Sequence, residues 1–453
     1  MTNISRNSLV ENKQQLIDYI ASGNKPESEW TIGTEHEKFV YCIDSQKPVP
    51  YEGERSIRAI LEALKTEFDW QPIMEGDNII GLKKDGQSVT LEPGGQLELS
   101  GAMVKTLHQT CAESTSHLRQ AQAVSKKLGI NYLGMGFNPN SKREDVPIMP
   151  KGRYNIMLNY MPKKGSLGLD MMLRTCTIQV NLDYSSEADM VKKFRVSLAL
   201  QPLATAIFAA SPFTEGKPNG FQSYRSHIWT DTDPDRCGIL PFVFEDGMGF
   251  EAYVDHVLKV PMYFVHRDGI YHDVSGKSFK DFMNGKLEGF EGEVPTIADW
   301  EDHMSTIFPE VRLKKFLEMR GADGGTWSRI CALPALWVGI LYDQTSLDAA
   351  WDMVKDWTHE EHQHLRDNVP RHGLAATFRN GTVQDIAKQM LDISAAGLER
   401  RGHMNNTGED ERVFLNALFD TVKSGKTTAQ VMLDCYNNGW KGDVSKVFED
   451  CSF

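Results

Sequence analysis

The chain runs to 453 residues with 40% apolar side chains, enough for a large core in one elaborated domain or two to three average ones. Forty-nine basic against 62 acidic residues leave a net charge of −13, which argues against a nucleic-acid backbone or an anionic membrane as partner and favours divalent cations. Seven scattered cysteines with no Cys-x-x-Cys pair argue against a zinc cluster and a secreted disulfide scaffold.

The N-terminal run Met1-Thr2-Asn3-Ile4-Ser5-Arg6-Asn7-Ser8 has neither a signal peptide's apolar core nor an Arg- and Ser-rich import leader, so a cytoplasmic protein is expected. Ser8-x-x-Glu11 reads as a capping box that opens an amphipathic helix (Leu9, Leu16, Ile17, Ile20) stopping at Gly23. The next run, residues 30–41, reads as a strand whose two-residue alternation puts Glu35 and Glu37 on one face. Carboxylates ~4 Å apart repel by about 4 kcal/mol at an effective dielectric near 20, so the pair calls for a cation, a basic partner or a solvated edge.

A second helix (Ile57, Ile60, Leu61, Leu64) precedes strands at 79–82 and 89–99, the latter bent at Pro93-Gly94-Gly95. A long helix over about 102–128 ends at Gly129, and 130–137 is another short strand. In 174–182, Cys176, Ile178, Val180 and Leu182 face a core while Thr175, Thr177, Gln179 and Asn181 form the polar side. Residues 198–210 form a core helix too short for a bilayer, and Phe242, Phe244, Phe250, Tyr253, Tyr263 and Phe264 read as core packing. Between them, the polar segment 223–233 reads as a substrate-facing loop in which Arg225 could clamp a carboxylate.

Residues 311–320 alternate again, with Leu317 and Met319 inward and Glu318 and Arg320 outward. From 332 onward the pattern is helical, at 332–342, 348–357, 358–367, 383–393, 411–422 and 428–433. No linker, repeat or low-complexity segment divides the chain. The expectation is α+β: one domain over 1–453 in which 332–453 is a mainly helical cap on an antiparallel sheet.

The open face of that sheet would carry Glu35, Glu37, Glu92, Glu98, Gln179, Glu318 and Arg320. Five carboxylates with very few bases call for metal, and oxygen-only donors favour Mg²⁺, or Mn²⁺, over zinc. Gly276-Lys277-Ser278 and Gly425-Lys426-Thr427 are not Walker loops, because Tyr271 and Asp420 stand where the first glycine belongs. His359-Glu360-Glu361-His362 lacks the spacing of a zinc-protease helix and reads as the start of a helix capped by Thr358 and Glu361.

Long motifs then point one way: Gly33-Thr34-Glu35-His36-Glu37-Lys38-Phe39, Leu91-Glu92-Pro93-Gly94-Gly95-Gln96-Leu97-Glu98-Leu99-Ser100, the strand from Arg174 to Asp183, Ser211-Pro212-Phe213-Thr214-Glu215-Gly216, Arg225-Ser226-His227-Ile228-Trp229 and Glu318-Met319-Arg320-Gly321-Ala322-Asp323. Together they resemble the plant and proteobacterial type of glutamate-cysteine ligase over nearly the whole chain. The resemblance implies a glutamine-synthetase-like fold, a curved antiparallel sheet with surrounding helices. It also implies ATP-dependent joining of the glutamate γ-carboxylate to the cysteine amine through a γ-glutamyl phosphate, the first step of glutathione synthesis.

By the same resemblance Glu35, Glu37, Glu92, Glu98 and Glu318 are metal ligands, and Arg225, Tyr263 and Gln179 meet substrate. Arg320 faces the phosphates and, with Arg225, takes part in catalysis. The implied partners are glutamate, cysteine, ATP and Mg²⁺ (or Mn²⁺), with no nucleic acid or membrane, in a monomer or homodimer. Cys111 and Cys331 match one regulatory disulfide of the plant enzymes, whereas Val274 and Gly289 replace the second; a reducing cytoplasm would keep the first pair as thiols. The rival readings are another magnesium-dependent carboxylate-amine ligase or a guanidino kinase on the same scaffold, and a non-catalytic thiol-sensing protein.

Overall fold

The computed structural model describes residues 5–453; Met1–Ile4, part of the stretch read for a leader, lie outside the described residues. A nine-stranded sheet forms its centre. In chain order the strands are β1 (Ile32–Cys42), β2 (Gln71–Glu75), β3 (Asn78–Lys84), β4 (Gln87–Leu91), β5 (Leu97–Ser100), β6 (Ile130–Leu133), β7 (Thr177–Leu182), β8 (Val311–Leu313) and β9 (Leu317–Asp323). Their spatial order is β8-β9-β7-β1-β5-β4-β3-β2, with β6 also paired to β1, and every pairing in it is antiparallel. The expected α+β class with an antiparallel sheet therefore holds.

β1 is the organising strand because its eleven residues are long enough to take three partners. Residues 32–36 pair with β7, 35–38 with β5 and 39–42 with β6. Alternation then sorts the side chains: Thr34, His36 and Lys38 are buried, whereas Glu35 and Glu37 lie on the partly open face. One side of the sheet is covered by α3 (Leu107–Leu128) and α8 (Trp327–Leu341), and the large core also takes in α6 (Glu187–Ile207), whose residues from Val196 to Ile207 are all buried. Helices α9 (Gln344–Val354), α10 (His359–His372) and α11 (Val383–Arg401) pack around α6 and α8. Among the described residues no single helix is long and apolar enough to cross a membrane.

Several local expectations shift. The first helix, α1 (Lys13–Ala21), is capped by Asn12 and Gln15, not by Ser8 and Glu11, because the Asn12 side chain accepts from the Gln15 amide and Gln15 answers to the cap backbone. Residues 311–323 form a hairpin, not one strand, which sets Arg312 directly across from Glu318. The exposed edge strand β2 has too little apolar alternation to be foreseen. Thr358 and Glu361 do form the reciprocal cap at the start of α10. Cys111 on α3 and Cys331 on α8 are joined as a disulfide with their Cα atoms 5.6 Å apart.

Candidate active site

The register of the central strands assembles the acidic face. Glu37 of β1 lies directly across from Glu98 of β5, and Glu35 lies between Ser100 and Gln179. Glu92 follows β4, at a turn closed by a hydrogen bond from the Gly95 amide to the Glu92 carbonyl. In that turn the Gln96 side chain ties the loop to the β7 side, donating to the carbonyls of Met172 and Thr175 and accepting from the Gly94 amide.

The carboxylates receive few compensating bonds. Asn181 donates to Glu35 at 2.8 Å, the Thr177 amide to Glu37 at 3.0 Å, and Thr90 and Ser100 to Glu98 at 2.8 and 3.2 Å. Burial, followed by the charges of Glu318 and Glu98, pushes Glu35 up to about 7. Burial, with Glu92 and Glu98 next, lifts Glu37 well above the usual carboxylate range, and burial with Glu92 lifts Glu98. In each case the cause is burial together with neighbouring carboxylates.

Glu318, the fifth expected metal ligand, sits among bases. Arg312 grips both its oxygens at 2.7 and 2.8 Å, Lys314 approaches to 3.2 Å, and Arg320 donates to it as well. These bases hold its acid well below the usual range despite burial. Glu318 thus faces three cations, which it orders, whereas Glu35, Glu37 and Glu98 face mainly one another and Glu92. Among the described residues, no three His, Cys, Asp or Glu side chains converge closely enough to hold a metal unaided. The donor chemistry of Glu35, Glu37, Glu92 and Glu98 nevertheless fits Mg²⁺, which keeps several waters and commonly takes only one or two protein carboxylates alongside phosphate oxygens.

A cavity of about 90 Å³ opens against this face. Glu37 and Glu92 line it together with Gln179, Arg225 and Arg320. Arg320 donates to Gln179 at 2.7 Å, and a register shift in β9 between Met319 and Ala322 surrounds it. Such a bulge re-aims a side chain, here a guanidinium toward the cavity. Arg225 lies on α7 (Tyr224–Ile228), a short helix in place of the expected loop, and is buried with one guanidinium nitrogen 3.0 Å from the Arg320 carbonyl and its Nε unpartnered.

Tyr263, expected to meet substrate, does not line this cavity. It is buried under the guanidinium of Arg236, 3.8 Å from the ring centre, and its hydroxyl donates to Asp233 at 3.2 Å. Sequence reasoning missed Arg153, Met157, Met171, Met172, Trp229 and Phe308, all of which line the cavity. The one available signal was the basic Lys151-Gly152-Arg153 turn ahead of helix α4 (Gly152–Tyr160). The lining thus combines carboxylates with three arginines, thioethers and aromatic rings: a place for a polyanion carried with a cation, beside a small carboxylate substrate.

Comparison with known proteins identifies the family. A family model described as glutamate-cysteine ligase family 2 matches residues 31–450. The chloroplastic glutamate-cysteine ligase of Medicago truncatula is 58% identical over 438 residues, covering 97% of this chain and 84% of that protein. The chloroplastic enzyme of Nicotiana tabacum is also 58% identical, over 97% of this chain and 82% of its own. A solved glutamate-cysteine ligase from Francisella tularensis in complex with AMP shares the fold, with a TM-score of 0.57 at 12% identity, covering 93% of this chain and 87% of the other. The plant relatives are named chloroplastic, which overturns the expectation of a cytoplasmic protein.

Proposed function

The chain belongs to glutamate-cysteine ligase family 2 and is an enzyme of that type, a ligase of glutathione synthesis; from that premise we propose that it consumes ATP with Mg²⁺, Mn²⁺ being an alternative, and passes through γ-glutamyl phosphate. The observation that carries the proposal is one cavity lined both by carboxylates, among them Glu37 lifted well above the usual range, and by arginines, among them Arg225 and Arg320. Glu35, Glu37, Glu92 and Glu98 would hold the metal, which supplies charge neutralisation on the phosphates when bound. Glu318 keeps Arg320 and Arg312 in place. Gln179 steadies Arg320 from the other strand.

Arg225 binds a carboxylate of glutamate through its planar fork, leaving the γ-carboxylate free to react. A γ-carboxylate oxygen attacks the terminal phosphorus of ATP and the bond to ADP breaks; Arg320 shares the charge that develops on the transferred phosphoryl oxygens. The cysteine amine then attacks the acyl carbon, phosphate leaves with the carbon–oxygen bond pair, and the amine loses its proton as the amide forms. No protein nucleophile takes part. The segment following Ser223, with Trp229, closes the cavity against water that would hydrolyse the acyl phosphate. Residues 332–453 serve in this reading as the helical cap of a single catalytic domain.

The test is ADP release as each substrate is withheld. ADP formation that needs both glutamate and cysteine, and ceases when divalent metal is chelated, is the expected result; sustained ADP turnover without cysteine would refute the reading. A single-turnover run with 2-aminobutyrate in place of cysteine then asks whether the thiol itself is recognised.

A further inference from the structure

The last residue of β9 has no part in the chemistry described above, yet it anchors the helix that does. Asp323 is 1% exposed and its carboxylate is fully used. One oxygen accepts from the Ala210 amide at 2.8 Å and from the Ser211 hydroxyl at 2.6 Å; the other accepts from the Ser223 hydroxyl at 2.7 Å. Both serines hand the constraint on to α7. Ser223 caps that helix by accepting from the Ser226 amide at 3.1 Å, and Ser211 accepts from the Arg225 amide itself at 3.2 Å.

The packing around this carboxylate leaves it nowhere else to go. A Cβ added at Gly136 would fall 2.4 Å from the Asp323 carboxyl carbon, so the chain passing over it must be glycine. From the same strand, the Arg320 carbonyl receives the Arg225 guanidinium. Arg225 is thus fixed to β9 at both ends: its main chain through Asp323 and Ser211, its side chain through Arg320.

We propose that Asp323 is a positioning residue for substrate, holding the first turn of α7 so that the Arg225 guanidinium meets the cavity at the height of Arg320. The proposal rests on the reading of Arg225 as the group that grips glutamate. A misplacement of about 1 Å in such a clamp costs on the order of 10²-fold in efficiency, and because the clamp acts on bound substrate the loss falls on the glutamate KM. Hydrogen bonds to serine hydroxyls made by a charged carboxylate are among the stronger kind, and an amide in its place keeps the size while weakening them.

The experiment is a double-mutant cycle on the full-length enzyme. Asp323→Asn should raise the glutamate KM by on the order of 10²-fold while the KM values for ATP and cysteine stay within about twofold. In an Arg225→Ala background the same change should alter the glutamate kcat/KM by less than about threefold, because its route of action is gone. Equal factors in the two backgrounds, or equal rises in all three KM values, would overturn the proposal. Arg225→Ala with an unchanged glutamate KM would fail the functional reading itself, a separate result visible in the single variant, and would remove the proposal with it. Should Asp323→Asn not fold, Ser223→Ala deletes one arm of the anchor and is judged by the same two criteria.

Discussion

Glu35 offers the most direct test of whether the acidic face is built for a cation. Its carboxyl rises from 4.5 to about 7, which at 1.36 kcal/mol per pH unit corresponds to about 3 kcal/mol, reduced to about 2 kcal/mol by solvent screening because the residue is only partly buried. In the unfolded chain this group loses its proton near 4.5, in the folded chain only near 7. Between those values the folded state binds more protons, so stability falls as pH rises through the window and the whole penalty is present above it. Glu35→Gln removes the charge and keeps an oxygen for the Asn181 amide. In urea unfolding followed by tryptophan fluorescence, in the presence of a chelator, the variant should be about 2 kcal/mol more stable than the native chain at pH 8, with the difference shrinking toward pH 5. Adding Mg²⁺ should stabilise the native chain more than the variant. A variant that is less stable at pH 8, or a magnesium effect of equal size in both proteins, would refute the reasoning.

Arg312→Met deprives Glu318 of its bidentate partner and leaves Lys314 and Arg320 to carry it; a loss of about 3 kcal/mol in denaturant unfolding is expected. The paired Glu318 contributes stability that is present above its ordinary pKa and lost as pH falls, so that loss should shrink in acid. Lys38 is a buried ammonium whose one bond is to the Leu97 carbonyl, and burial pushes it down to about 7. The unfolded chain holds that proton up to 10.5, so stability rises with pH across the window, and Lys38→Met should gain on the order of 3 kcal/mol at pH 6 and little near pH 10. The Cys111–Cys331 bridge spans 220 residues of sequence, so reduction should cost about 5 kcal/mol by the chain-entropy relation, read as a lower urea midpoint in dithiothreitol.

Much of this site was legible because strands obey a strict period of two. Glu35 with Glu37, and Thr177 with Gln179 and Asn181, sorted onto one face from alternation alone, and the register of β1 against β5 and β7 brought those faces together. What alternation cannot report is where a strand turns. Read as one extended run, residues 311–320 left Glu318 looking free; the hairpin at 314–316 folds Arg312 onto it. Arg312 and Lys314 stood in the sequence six and four residues ahead of Glu318, and only the turn gave them meaning. The placement of Tyr263 was hidden for a related reason, since a motif match locates a residue along the chain and says nothing of the Arg236 and Asp233 side chains that enclose it. The methionines and aromatics of the cavity wall come from α4, from α5 (Gly168–Arg174) and from the turns after α7 and before β8, elements far apart in sequence with no shared period to link them.

The three-way pairing of β1 also decides how the protein breathes. The amides of residues 32–42 lie in the sheet's most heavily shared strand, so their exchange with solvent requires loss of the central ladder, not the fraying of an edge. A ligand that holds Glu35 and Glu37 therefore acts on the cooperative unit that defines the folded state. Its binding energy is expressed as protection of the whole centre.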